Sequence, residues 1–191
     1  DQATDGTYVG AMSGSGSLTK TGGGNVTLSG ANTHSGGTTI SDGTLTGTTT
    51  SLRGNIANSG ALFFDQATAG TYAGVLSGNG NLIIANGDVT LTGANTYSGT
   101  TTVQGGTTLR LGTGGSLGAT RLLDVNATGT FDLTHAQDGS FVTSTDGDIA
   151  QLRGGATITY QPRVAKDRSE LARLIGLRDA ARSVLGVQLD G

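Results

Sequence analysis

The chain has no cysteine, no tryptophan, one proline and only a few aromatic residues of any kind. Without cysteine no disulfide can staple a thin core, the usual device of small secreted domains, so the fold must be held by another route. No apolar run is long enough to cross a bilayer as a helix. No Lys-rich, apolar leader opens the chain, which points to a longer parent or a removed signal peptide. Up to Gln161 there is neither proline nor glutamate, whereas disordered chains of comparable polarity are usually rich in both. The formal net charge is -3, and nowhere do Lys or Arg alternate with aromatics, so a nucleic-acid interface is set aside.

What is present is Gly, Thr, Ser and Asn, with aliphatic residues placed singly between them. A chain of 191 residues is the length of one domain. Self-comparison organises it. Residues 1–18, DQATDGTYVGAMSGSGSL, return as residues 65–82, DQATAGTYAGVLSGNGNL, with 12 of 18 positions identical at an offset of 64. Residues 26–44 return as 89–107, sharing the words VTL, GANT and SG. The apolar positions Val26, Leu28, Ile40, Leu45, Ile56, Leu62 and Phe64 alternate with polar ones over three to five residues. Gly-, Asn- and Ser-rich turns bound them, which reads as short strands with one face inward. At typical strand and loop lengths a coil takes roughly 20 residues, so the unit divides into about three coils. Gly and Asn at the corners are expected to supply the positive φ the turns need. One such coil cannot bury itself, and stability has to come from its neighbours.

The predicted architecture is all-β: a right-handed parallel β-helix (solenoid) over 1–161, with repeat copies at 1–64 and from 65 to 112 onward, followed by a C-terminal amphipathic α-helix within 162–191. The segment 61–64, ALFF, has no counterpart ahead of Asp1, which suggests a start inside a longer array. After Pro162 composition changes: six of the eleven basic residues and the one glutamate lie here. Asp167 and Glu170 resemble a capping box, and Gly186 can end the helix. Leu171, Leu174, Ile175, Leu177, Val184 and Leu185, with Ala181, form an apolar stripe at helical spacing. The stripe reads as a cap over the last coil, as a face that docks a partner or self-associates, or as a segment joined by fusion.

Residues 14–45, GSGSLTKTGGGNVTLSGANTHSGGTTISDGTL, resemble the autotransporter-associated β-strand repeat of Gram-negative passenger regions. His34 replaces the usual Tyr, which Tyr97 supplies in the second copy; that copy has Ile84 in place of Lys20. The likeness holds over residues 1–112 and thins toward Gln161. It implies a non-enzymatic passenger exported across the outer membrane and displayed on, or shed from, the cell surface, as an adhesin or a rigid stalk. Host glycans, matrix proteins or a second copy are the partners it suggests. Such families attach to the membrane through a C-terminal β-barrel, which these residues do not supply.

The rival class is a carbohydrate-active enzyme, which needs convergent carboxylates beside Arg or Lys. The candidates are Asp146 and Asp148, two apart on one side of a strand, with Asp124 and Asp132, and with Arg121 or Arg153. His34 and His135 lie in polar, turn-like contexts and no Gly-x-Ser-x-Gly elbow is present, so both read as surface histidines. No EF-hand or calcium-roll run occurs, and no metal or cofactor is expected. Threonine pairs such as Thr100 to Thr102, Thr128/Thr130 and Thr157/Thr159 invite a binding face. Their uneven sequence spacing argues instead for threonine as a strand-forming surface residue.

Overall fold

The computed structural model describes residues 4–118, 120, 122–132, 150–152 and 157–159. The chain divides into units 1–159 and 160–191, and every described residue lies in the first. The predicted tail helix, Asp146, Asp148, Arg121, Arg153 and His135 lie outside the described residues.

The described residues are all-β and form a parallel solenoid whose strands fall into three sheets. The largest runs β1 (Gly6–Tyr8), β3 (Asn25–Leu28), β5 (Thr44–Gly47), β7 (Ala61–Asp65), β10 (Asn81–Asn86), β12 (Thr101–Val103), β14 (Leu123–Val125) and β16 (Ala150–Leu152). A five-stranded sheet stacks β8 (Gly70–Tyr72), β11 (Asp88–Leu91), β13 (Thr108–Leu111), β15 (Thr130–Asp132) and β17 (Thr157–Thr159). A four-stranded sheet stacks β2 (Leu18–Lys20), β4 (Thr38–Ile40), β6 (Ile56–Asn58) and β9 (Leu76–Ser77). The coil through β7, β8 and β9 contributes one strand to each sheet.

Alternation decides which side chains enter the core. In the largest sheet Val26, Leu45, Leu62, Leu82, Thr101 and Leu123 stand in one register row, each one coil from the next. Ile40, Leu45, Ile56, Leu62 and Phe64 are buried and Val26 packs partly buried against them, as their spacing predicts. Thr101 enters the same row because its hydroxyl finds partners inside, as described below. Along this row the steps are 19, 17, 20, 19 and 22 residues. Strand pairing is therefore constant while the turns absorb the differences in coil length.

The repeat unit is not a whole number of coils. Three coils, from Leu18 through Thr38 and Ile56 to Leu76, use 58 residues, and six more carry the chain to Leu82 on the next sheet. Leu18 and Leu82 are equivalent in sequence, yet one stands in the four-stranded sheet and the other in the eight-stranded sheet. Likewise Gly6–Tyr8 belongs to the eight-stranded sheet and its equivalent Gly70–Tyr72 to the five-stranded one. The expectation of three coils per unit is corrected to three coils plus one face.

The corner chemistry also differs from expectation. Among the described residues positive φ falls on glycines and on Thr128 (φ 64°), never on asparagine. Asparagines act through their side chains instead. Glycine has a second use where coils pass in close contact: a Cβ on Gly93 would collide with the carbonyl oxygen of Gly74, and one on Gly74 with that of Gly54. Gly93→Ala is expected to lose about 2–3 kcal/mol, since backbone must move. A Cβ on Gly16 meets nothing within 4 Å, so Gly16→Ala should stay within about 0.5 kcal/mol. Urea midpoints of the two variants, measured side by side, check this.

Candidate functional site

Buried polar side chains tie consecutive coils together. Asn95, 3% exposed, accepts from the Leu76 N–H at 2.8 Å through Oδ1, and its Nδ2 donates to the Ser116 carbonyl at 2.7 Å. Asn32 repeats this in the first copy, accepting from the Met12 N–H at 2.8 Å and donating to the Ser51 carbonyl at 2.6 Å. Each amide thus spans the coil before and the coil after its own. Gln66 does the same at a corner, accepting from the Thr49 N–H at 2.9 Å and donating to the Asp88 carbonyl at 2.8 Å. The shared word GANT contains the asparagine of each copy, but nothing in sequence shows that its side chain points inward.

His34 is 6% exposed, so the surface reading of this histidine is corrected. It takes the place that Tyr97 holds in the second copy. There the Tyr97 hydroxyl pairs with Thr101 Oγ1 at 2.5 Å, Thr101 with Thr120 Oγ1 at 3.0 Å, and Thr120 donates to the Gly99 carbonyl at 2.6 Å. His34 Nε2 reaches Thr38 Oγ1 only at 3.5 Å, and its Nδ1 is buried with no hydrogen-bond partner. An orphaned buried nitrogen costs on the order of 1–3 kcal/mol. His34→Tyr is therefore expected to stabilise the protein by about 1 kcal/mol, read as a higher urea midpoint at neutral pH.

Burial pushes the phenols of Tyr97 and Tyr72 well above their ordinary range, with the Thr101 and Thr120 hydrogen bonds opposing the shift at Tyr97 and Arg53 opposing it at Tyr72. A folded-state value raised above the unfolded one gives stability that is complete below the unfolded value, near pH 10, and lost as pH rises beyond it. Melting temperatures should hold up to about pH 9 and fall steeply above about pH 10. Lys20 is buried too, its ammonium donating to the carbonyls of Thr21, Gly22 and Asp42.

The outward positions form columns. In the eight-stranded sheet Thr7, Thr27 and Thr46 align, followed by Phe63, Ile83, Thr102 and Asp124. In the five-stranded sheet one column reads Asp88, Thr108 and Thr130, and the next Thr71, Thr90, Arg110 and the largely covered Asp132. Uneven sequence spacing therefore does not prevent threonines from standing in register, contrary to the expectation from sequence, because the turns take up the excess. Arg110 Nε meets Asp132 Oδ2 at 2.6 Å across adjacent strands.

Of the predicted carboxylates, Asp124 lies on β14 and Asp132 on β15, in different sheets, and Asp132 is tied to Arg110. No group of three or more His, Asp or Glu side chains suited to a metal occurs among the described residues.

A family model described as the passenger-associated-transport repeat matches residues 18–46 and 58–111. The adhesin BmaC autotransporter of Brucella suis biovar 1 (strain 1330) is 53% identical over 53 residues, 26% of this chain and 2% of that protein. The chain thus spans about 2% of the length of this relative. No solved structure matches. The family match falls on the coils that Asn32, Asn95 and the stacked glycines hold together, and those two stretches of the chain are autotransporter passenger repeats.

Proposed function

We propose that this chain is a non-enzymatic part of an exported passenger, a right-handed β-solenoid displayed at or shed from the cell surface, and that its outer faces are adhesive. The observation that carries the reading is the passenger repeat itself, joined to the likeness with a protein named as an adhesin. Right-handed coiling follows from the strong preference of parallel strand connections for that hand. A rod of stacked coils presents long flat faces on which weak contacts add up. Absence of cysteine suits a chain that crosses the outer membrane unfolded and stacks its coils outside.

The test is an array of glycans and matrix proteins probed with the full chain and with a version ending at Gln161. Saturable binding by both is the expected result. Binding by the full chain alone would move adhesion to the segment carrying Leu171, Leu174, Ile175, Leu177, Val184 and Leu185. Binding by neither would make the chain a stalk.

A further inference from the structure

We propose that the outer face of the five-stranded sheet is a binding site for an uncharged polysaccharide, a ligand class that rests on the adhesive reading above. Thr71, Thr90, Thr108 and Thr130 stand outward on four successive strands, in two columns. Column neighbours are about 4.8 Å apart, and the columns about 6.6 Å apart along each strand.

Two features make these hydroxyls available to a ligand. Among the described residues none of the four has a hydrogen-bond partner for its hydroxyl, whereas those of Thr46, Thr101, Thr107 and Thr120 are all engaged within the fold. They also sit on a β-branched side chain with restricted χ1 on a paired strand, so a ligand meets donors and acceptors already fixed in place. The eight-stranded sheet lacks such continuity, because Phe63 and Ile83 interrupt its threonine column.

Charge selects the ligand. The cationic side chains among the described residues are Lys20, Arg53 and Arg110. Lys20 is buried, Arg53 lies between β5 and β6, and Arg110 is held by Asp132, with Asp88 heading the neighbouring column. Among the described residues the cation on this face, Arg110, is already paired with a carboxylate, which disfavours a polyanion. An apolar partner fares no better, since among the described residues the exposed large hydrophobics are Tyr8 and Val9, both off this sheet. A chain of neutral hydroxyls, lying along the columns and taking one or two bonds per coil, matches a face that is polar, rigid and nearly neutral.

The experiment is pull-down of the full chain on insoluble cellulose, chitin and mannan, with heparin and deglycosylated collagen as the polyanion and protein arms. Saturable binding to a neutral polysaccharide is expected, insensitive to salt. It should weaken at least tenfold in the Thr108→Val/Thr130→Val variant and remain unchanged in Thr27→Val, with far-UV spectra reporting that both variants fold. Polysaccharide binding that survives the double substitution overturns the assignment to this face. Binding confined to heparin or deglycosylated collagen overturns the ligand class while adhesion stands, and no binding on any arm overturns the site and the adhesive reading together.

Discussion

Asn95→Ala is expected to cost about 3 kcal/mol, more than an ordinary hydrogen bond contributes, because it strands a donor and an acceptor at once. The Leu76 N–H belongs to a residue 2% exposed, and no water reaches it when the Asn95 carbonyl oxygen is gone. The Ser116 carbonyl loses its partner in the following coil. Asn32→Ala should cost less, about 2 kcal/mol, because its donor partner Met12 is only partly buried and solvent can replace the bond. Urea denaturation ranks the pair, and hydrogen exchange locates the effect: the Leu76 amide should exchange much faster in Asn95→Ala, with the Leu91 amide unchanged. Equal losses in the two variants, or no change at Leu76, would show that the amides do not bridge coils.

Phe64→Ala should remove about 4 kcal/mol, toward the upper part of the range for truncating a buried aromatic. Phe64 is fully buried, pairs with Gly47 in one direction and Ile84 in the other, and meets the Tyr72 ring edge-on at 5.3 Å. Gly47 has no side chain to swing into the space, and strands locked in register on both sides cannot close it, so the void persists. For a unit of this size that loss lowers the melting temperature by roughly 8–16 °C. Phe63 is the internal control, since it points outward from the same strand and is partly exposed. Phe63→Ala should stay within about 1 kcal/mol. A small effect at Phe64 would mean that the coils relax more freely than parallel pairing allows.

Much of the solenoid was legible before any coordinates. Ile40, Leu45, Ile56, Leu62 and Phe64 announce their inward orientation by alternation alone, since successive side chains on a strand take opposite faces. The passenger resemblance was legible in residues 14–45, and the family match begins within that stretch. The burial of His34 is not legible in the sequence, because its polar neighbours are those of an exposed turn. Its neighbours Ser35 and Gly36 face solvent while its own side chain is buried, and only the folded solenoid decides that. That glycines rather than asparagines supply the positive φ is likewise hidden, because an amide that binds a turn and an amide that bridges coils look the same in sequence.

By itself the sequence determined the strands, their inward residues and the existence of a 64-residue repeat, all consequences of local alternation and self-similarity. Tertiary structure decided how that repeat winds. A length of three coils plus six residues turns each copy by one face, so Thr39 and its counterpart Thr102 look out from different sheets. Only the pairing of strands 17 to 22 residues apart could align threonines whose sequence spacing is irregular, because hydrogen-bond register is fixed between strands while turns of unequal length are free to differ.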